Sequence, residues 1–210
     1  MSIKNESKTL TNYCHLLYKN GMIAGFDGNY SVKIDSNSIL ITPSGKPKGF
    51  LKLEDLITID ISGKKISGEG KPSSETAMHL QVYQNRPEIK SCCHAHPPHA
   101  TAFATSDKRL PENVLPEILL SVGDIARTEY IPTGVVEEWD KLTKYILKNN
   151  AVLLANHGVL TLGTDIEEAY FRMETIEHFA KIAFIGETLG GLKTLDSNEI
   201  ARLNRIRENK

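Results

Sequence analysis

Leu10, Tyr13, Cys14, Leu17 and Tyr18 recur at three- and four-residue intervals, the stripe of an amphipathic helix that Asn20-Gly21 would stop. The period then shortens to two. Tyr30, Val32 and Ile34 alternate with polar residues, Asp35-Ser36-Asn37-Ser38 turns the chain, and Ile39-Leu40-Ile41 returns as the second arm of a β-hairpin. Leu56–Ile59 and Lys65–Ser67 predict two further short strands around Ser62-Gly63. Helical spacing resumes from Ser74 to Tyr83, with Ser73 or Ser74 as the expected N-cap and Glu75 in the first turn, where a carboxylate suits the helix dipole. Ile89–His96 predicts a strand, and Pro97-Pro98 opens a helix running through Ala104.

The second half predicts a strand over Ile125–Tyr130, a helix over Val135–Leu147 and an apolar strand, Ala151–Leu154, of the kind buried on both faces. Asn156-His157-Gly158 breaks the apolar run before Val159–Leu162. A long amphipathic helix follows from Asp165 to Glu187, closed by Gly190-Gly191, and the polar tail Leu192–Lys210 predicts a short surface helix. Helices packed on a sheet make a layered α/β or α+β architecture. Without repeats, low-complexity tracts or long linkers, one domain over residues 1–210 is expected.

Composition narrows the function classes. The 210 residues are 40% hydrophobic and 24% charged, ordinary for a globular protein and unlike a disordered one. Twenty-five basic and 26 acidic side chains leave a net charge of −1, so no charge surplus draws the chain to nucleic acid or an anionic membrane. No apolar run reaches the roughly 20 residues that span a bilayer, and MSIKNESKTL lacks the apolar stretch of a signal peptide. Three cysteines, two of them adjacent, form no disulfide framework. A reduced, cytoplasmic protein is the expectation.

Candidate chemistry begins with histidine. His94 and His96 stand two apart on a predicted strand, so alternation points both imidazoles to one face, roughly 7 Å apart at Cα. His157 ends a buried strand that could lie beside theirs. Three neutral imidazoles with an open fourth position would make the catalytic form of a zinc site. His99, one helical turn beyond His96, could be a ligand or a rim residue, whereas His15, His79 and His178 fall on helical patterns and suggest packing or surface roles. Glu75 reads either as a capping residue or as a base beside a metal, and spacing alone leaves both open. Gly28-Asn29, Thr42-Pro43-Ser44-Gly45 and Ser73-Ser74 are turn chemistry that could also surround an anion, flanked by Lys46, Lys48 and Lys71. Cys92 shares the histidines' face and Cys93 opposes it; both read as packing.

Four segments, GMIAGFDGNYSVKI (21–34), ITPSGKP (41–47), GKPSSETAMHLQVYQNRPEIKSCCHAHPPHATAFA (70–104) and LLANHGVLTLG (153–163), resemble in order and interval the class II aldolase/adducin family, most closely its L-fuculose-1-phosphate aldolases. That resemblance implies a three-layer α-β-α fold with a central, mostly antiparallel sheet. It implies one zinc ion per subunit held by His94, His96 and His157, with Glu75 as acid/base that also approaches or ligates the metal. Gly28, Asn29, Ser44, Gly45, Ser73 and Ser74 match the family's phosphate-binding positions. The implied reaction is cleavage of a ketose 1-phosphate to dihydroxyacetone phosphate and an aldehyde through a metal-stabilised enediolate. The implied assembly is a homotetramer with interfacial active sites, and the implied partner is a small sugar phosphate.

Two departures stand out. Asp27 replaces the Ser or Thr that these aldolases usually carry, placing a carboxylate beside the expected phosphate site. The family's aldehyde-protonating tyrosine comes from a neighbouring subunit and has no aligned counterpart here: Tyr130 is near in sequence, and Glu117 could occupy the rim in its place. The same scaffold hosts pentulose-phosphate 4-epimerases, methylthioribulose-phosphate dehydratases, decarboxylases and non-catalytic adducin-like interaction modules. The Pro97-Pro98-His99 loop resembles the aldolase form, and the retained histidines and glutamate argue against a module without catalysis.

Overall fold

A computed structural model describes residues 3–209. The first half of the chain runs α1 (Ile3–Lys19), β1 (Asn29–Lys33), β2 (Ser38–Ile41), β3 (Ile57–Asp60), β4 (Lys65–Ser67), α2 (Thr76–Asn85), β5 (Ser91–Ala95) and α3 (Pro98–Thr105). The second half runs α4 (Pro116–Ser121), β6 (Ile125–Arg127), α5 (Thr143–Ile146), β7 (Ala151–Leu154), β8 (Gly158–Gly163), α6 (Ile166–Thr188) and α7 (Ser197–Glu208). The strands form one sheet in the order β4-β3-β2-β1-β5-β8-β7-β6, antiparallel throughout except for the β6–β7 pair. This is the expected α/β architecture, a central mixed sheet flanked by helices.

Each face of the sheet carries its own apolar core. Tyr30, Val32, Leu40, Cys93 and Ala95 pack with Leu10, Leu17, Phe103, Met173 and Phe179, which places α1, α3 and α6 on one side. Ile39, Ile41, Ile57, Ile59, Cys92 and Leu160 pack with Met78, Val82, Trp139 and Ile146, which places α2, the Val136–Leu142 turns and α5 on the other. Alternation along β1 and β5 therefore assigns Tyr30 and Cys93 to the first core, and Ser31 and Cys92 to the second. Both faces being covered, Asn29 and Ser31 are buried although polar.

Several expectations need correction. Val135–Leu147 is not one α-helix but a 3-10 stretch, Val136–Leu142, followed by α5. Its buried anchors Trp139 and Leu142 are three apart, the repeat that a 3-10 helix presents to one side. The strand expected over Ile125–Tyr130 stops at Arg127, and α4 was absent from the pattern reading because its six residues are too short to show a period. The tail does form the expected surface helix, α7, anchored by buried Leu203 and by Arg207 Nη1, which donates to the Leu119 carbonyl at 3.3 Å. Glu75 is itself the N-cap residue of α2, with no side-chain capping bond; its own N–H donates to Ser73 Oγ at 3.2 Å. The carboxylate is thereby free to point elsewhere. Among the described residues, no helix is long and apolar enough to cross a membrane.

Candidate metal centre and substrate cavity

The site forms where β5 ends, β1 begins and β7 turns into β8. Register places Asn29 opposite His94 on one side of β5 and Leu160 opposite His94 on the other. His96 lies just beyond β5, its N–H bonded to the Met22 carbonyl at 3.0 Å. His157 sits in the β7–β8 turn, where Asn156 takes φ 57°. Gly158 follows because nothing larger fits: a Cβ there would stand 2.7 Å from the Ala95 carbonyl oxygen and press on the His96 ring.

The potential ligand atoms of His94, His96 and His157 all lie within 4.8 Å of one another, and His94 Nε2 and His96 Nε2 are 3.1 Å apart. Two nitrogens on one tetrahedral zinc would be separated by roughly 3.3 Å, given bonds of about 2.0–2.1 Å. Glu75 joins them, with Oε2 at 3.3 Å from His94 Nε2 and Oε1 at 3.1 Å from His157 Nε2. His94 Nδ1 lies 2.9 Å from the Val159 carbonyl, which accepts only from a protonated nitrogen, so the lone pair of His94 sits on Nε2 and faces the cluster. Glu75 Oε1 is buried and has no hydrogen-bond partner among the described residues, an arrangement that a cation would relieve. The donor set fits a divalent first-row metal: three imidazoles could hold the ion, with a carboxylate alongside.

Electrostatics keep these groups in metal-ready form. Burial pushes the His94 imidazole down to about 3 and also lowers His96, so both are neutral at neutral pH. Burial opposes ionisation of Glu75, yet its carboxyl is held well below the usual range, with the Asn29 amide donating to Oε2. Buried Cys92 is pushed up to about 12 and stays a packing thiol.

A cavity of about 390 Å³ opens beside the cluster. Gly28, Asn29, Ser44, Gly45, Ser73 and Ser74 all line it, together with Glu75, His96 and His157. The lysines predicted to flank these segments separate. Lys46 pairs with Asp55, Lys71 is exposed, and Lys48 is, among the described residues, the one lysine or arginine lining the cavity. Lys48 is 4% exposed, and its ammonium donates to the carbonyls of Phe26 (2.8 Å) and Lys46 (3.0 Å). Burial lowers its pKa, while Asp27 and Glu75 raise it. Asp27 also lines the cavity, 3.5 Å from His96 Nδ1.

Some candidates lie elsewhere. His99 pairs with Glu177 at 2.7 Å, and the same carboxylate accepts from the first N–H groups of α3, so His99 is neither ligand nor rim. Tyr130 and Glu117 do not line the cavity of their own chain, and a role towards a neighbouring subunit's site stays an expectation of the resemblance. His15 packs against the Leu51 carbonyl and His178 is exposed, as expected. His79, whose helical pattern predicts a packing or surface role, is fully buried and bonded to Asn29, which in turn donates to Glu75. Its position on a helical stripe carried no signal of that contact.

Comparison with known proteins follows the same lines. Residues 8–184 match the family described as Class II Aldolase and Adducin N-terminal domain. The chain is 40% identical over 177 residues to an L-fuculose phosphate aldolase of Methanococcus maripaludis, covering 84% of this chain and 94% of that one. It is 36% identical over 180 residues to a 3-oxo-tetronate 4-phosphate decarboxylase of Haemophilus influenzae, covering 84% of each. A solved L-fuculose 1-phosphate aldolase superimposes with a TM-score of 0.87 at 32% identity, covering 96% of this chain and 95% of that one. With sequence, fold and histidine cluster in agreement, the chain belongs to the class II aldolase/adducin family, as a lyase of the class II aldolase type.

Proposed function

We propose that the protein is a zinc-dependent aldolase that cleaves a ketose 1-phosphate of the L-fuculose 1-phosphate kind to dihydroxyacetone phosphate and an aldehyde. The observation that carries this reading is the convergence of His94, His96, His157 and Glu75 beside a cavity whose lining includes small hydroxyl and glycine residues. His94, His96 and His157 would hold the zinc, which when bound supplies Lewis-acid polarisation of a carbonyl oxygen. Glu75 then acts on carbon. In cleavage the hydroxyl on the departing carbon loses its proton to solvent and becomes the aldehyde, the electron pair of the broken carbon–carbon bond moves towards the ketose carbonyl, and a proton that Glu75 takes up from solvent passes to the carbon left behind; in the synthetic direction Glu75 removes that proton.

The cavity lining suits a phosphate. Gly28 and Gly45 let the backbone come close, Ser44, Ser73 and Ser74 offer hydroxyls, and the Lys48 ammonium offsets Asp27. Remote binding of this kind orients the reacting end of the substrate. A second reading, decarboxylation of a phosphorylated 3-oxo acid, is favoured by the 36% identity to the Haemophilus influenzae decarboxylase. It uses the same proton return to carbon after a different bond breaks. A homotetramer with interfacial sites remains the proposed assembly, with a small phosphorylated sugar as partner.

The test is a metal analysis followed by an activity screen over ketose 1-phosphates, their unphosphorylated counterparts and phosphorylated 3-oxo acids. About one zinc per chain is expected, with cleavage of a ketose 1-phosphate abolished by chelator and restored by zinc. Glu75→Gln should retain zinc and lose solvent exchange at the hydroxymethyl carbon of dihydroxyacetone phosphate. Full activity in metal-free protein, or wild-type exchange in Glu75→Gln, would reject the mechanism; turnover of 3-oxo acids alone would select the second reading.

A further inference from the structure

A line of buried hydrogen bonds leads from the second core to Glu75. Tyr83 Oη lies 2.6 Å from Ser31 Oγ, and Ser31 Oγ lies 2.6 Å from His79 Nδ1. His79 Nε2 is bonded to Asn29 Oδ1, and Asn29 Nδ2 donates to Glu75 Oε2 at 2.7 Å. Tyr83, Ser31, His79 and Asn29 are at most 3% exposed.

Only one direction of donation satisfies every link. Glu75 is a carboxylate and can only accept, so Asn29 must present its NH2 to it and its carbonyl oxygen to His79. An amide oxygen accepts only, so His79 must carry its proton on Nε2. Nδ1 is then a lone pair that takes the Ser31 hydroxyl proton, and Ser31 in turn accepts from the Tyr83 hydroxyl. Each donor thus points towards Glu75, and such chains strengthen link by link in a low-dielectric interior.

We infer that His79 is a positioning residue for the proton-transfer step: held as the Nε2–H tautomer by Ser31 and Tyr83, it locks the Asn29 amide so that its NH2 grips and orients the Glu75 carboxylate. This rests on the reading of Glu75 as the group that exchanges protons with carbon. It also gives Asn29 a duty other than phosphate binding, since one of its two N–H bonds is spent on Glu75. If His79 carried its proton on Nδ1, its Nε2 lone pair would face Asn29 Oδ1, the amide would turn, and an oxygen would oppose the carboxylate. Burial holds His79 neutral by lowering it to about 4, so the tautomer and not a charge is what the network specifies.

The first test needs no substitution. Nitrogen-15 NMR of the zinc-loaded protein should show His79 protonated at Nε2 and bare at Nδ1; the opposite tautomer overturns the inference. The second measures deuterium exchange into dihydroxyacetone phosphate in heavy water by the zinc-loaded enzyme. His79→Leu should lower the exchange kcat at least tenfold, as losses of supporting hydrogen bonds around metal sites do. KM should stay within twofold and zinc content should be unchanged. His79→Gln, which restores an amide donor near the Nε2 position, should recover most of the rate. Ser31→Ala keeps the imidazole and serves if His79→Leu does not fold; it should shift the tautomer signal and lower kcat. Wild-type kcat in the folded variants, or no difference between Leu and Gln at position 79, overturns the inference. Glu75→Gln run in parallel separates the cases, because retained exchange there refutes the role of Glu75 itself.

Discussion

Gly28 offers a sharp test of how the backbone supports the histidine cluster, because Gly45 is its natural control. Both residues adopt φ 70°. A side chain in that conformation costs roughly 1–2 kcal/mol. A Cβ on Gly45 would meet nothing within 4 Å, so Gly45→Ala should lose only that strain. A Cβ on Gly28 would stand 2.7 Å from Ile23 Cγ2 and 2.9 Å from the His94 carbonyl oxygen. Carbon–carbon contacts rest at about 3.5–4.0 Å, so its neighbours must retreat by about an ångström. Ile23 is buried, and His94 belongs to a strand bonded on both sides. Overpacking of this kind adds about 1–3 kcal/mol, for a total of roughly 2–5 kcal/mol. At about 2–4 °C per kcal/mol for a chain of this size, Gly45→Ala should melt about 2–8 °C low and Gly28→Ala about 4–20 °C low. Calorimetry of chelator-treated protein reads the stability, and competition with a chromogenic chelator reads zinc affinity. Because the displaced carbonyl is that of His94, Gly28→Ala should bind zinc at least tenfold more weakly, while Gly45→Ala binds normally. Equal melting losses, or unchanged zinc affinity in Gly28→Ala, would refute the argument.

Acidification should destabilise the metal-free protein in a defined window. Burial lowers His79 to about 4 and His94 to about 3, so below the unfolded value of about 6.5 the unfolded state binds more protons. Their contribution is complete above that pH and is lost as pH falls towards the folded values. His79 alone is worth about 2 kcal/mol between pH 7 and 5. Urea midpoints at the two pH values measure it, and an unchanged or higher midpoint at pH 5 would contradict it. Lys48→Met removes the cavity's lysine; with charged hydrogen bonds worth about 1.5–3 kcal/mol, KM for dihydroxyacetone phosphate should rise about ten- to a hundredfold. Inorganic phosphate should lose potency as an inhibitor in parallel, whereas an equal loss for unphosphorylated dihydroxyacetone would deny Lys48 a role in anion binding.

Much of the architecture was legible because periodicity is a local property. The hairpin, the apolar β7 and the long α6 all fall where two-residue or helical spacing puts them. The spacing of His94 and His96 gave a shared face without any knowledge of neighbours. The pattern failed where an element is too short to establish a period, as in α4, or where burial at three-residue intervals tightens the helix, as at Trp139 and Leu142.

The amino-acid sequence alone determined the order of elements, the pairing of two imidazoles two residues apart on one face and the glycines that permit close approach. Tertiary structure decided what each polar side chain meets. Asn29 and Glu75 are 46 residues apart, His79 and Asn29 are 50 apart, and His99 and Glu177 are 78 apart. Those meetings depend on β1 and β8 flanking β5 and on α2 covering the polar side of β1. No local spacing encodes them, because hydrogen-bond partners in a buried site are chosen by sheet order and helix packing across the whole chain.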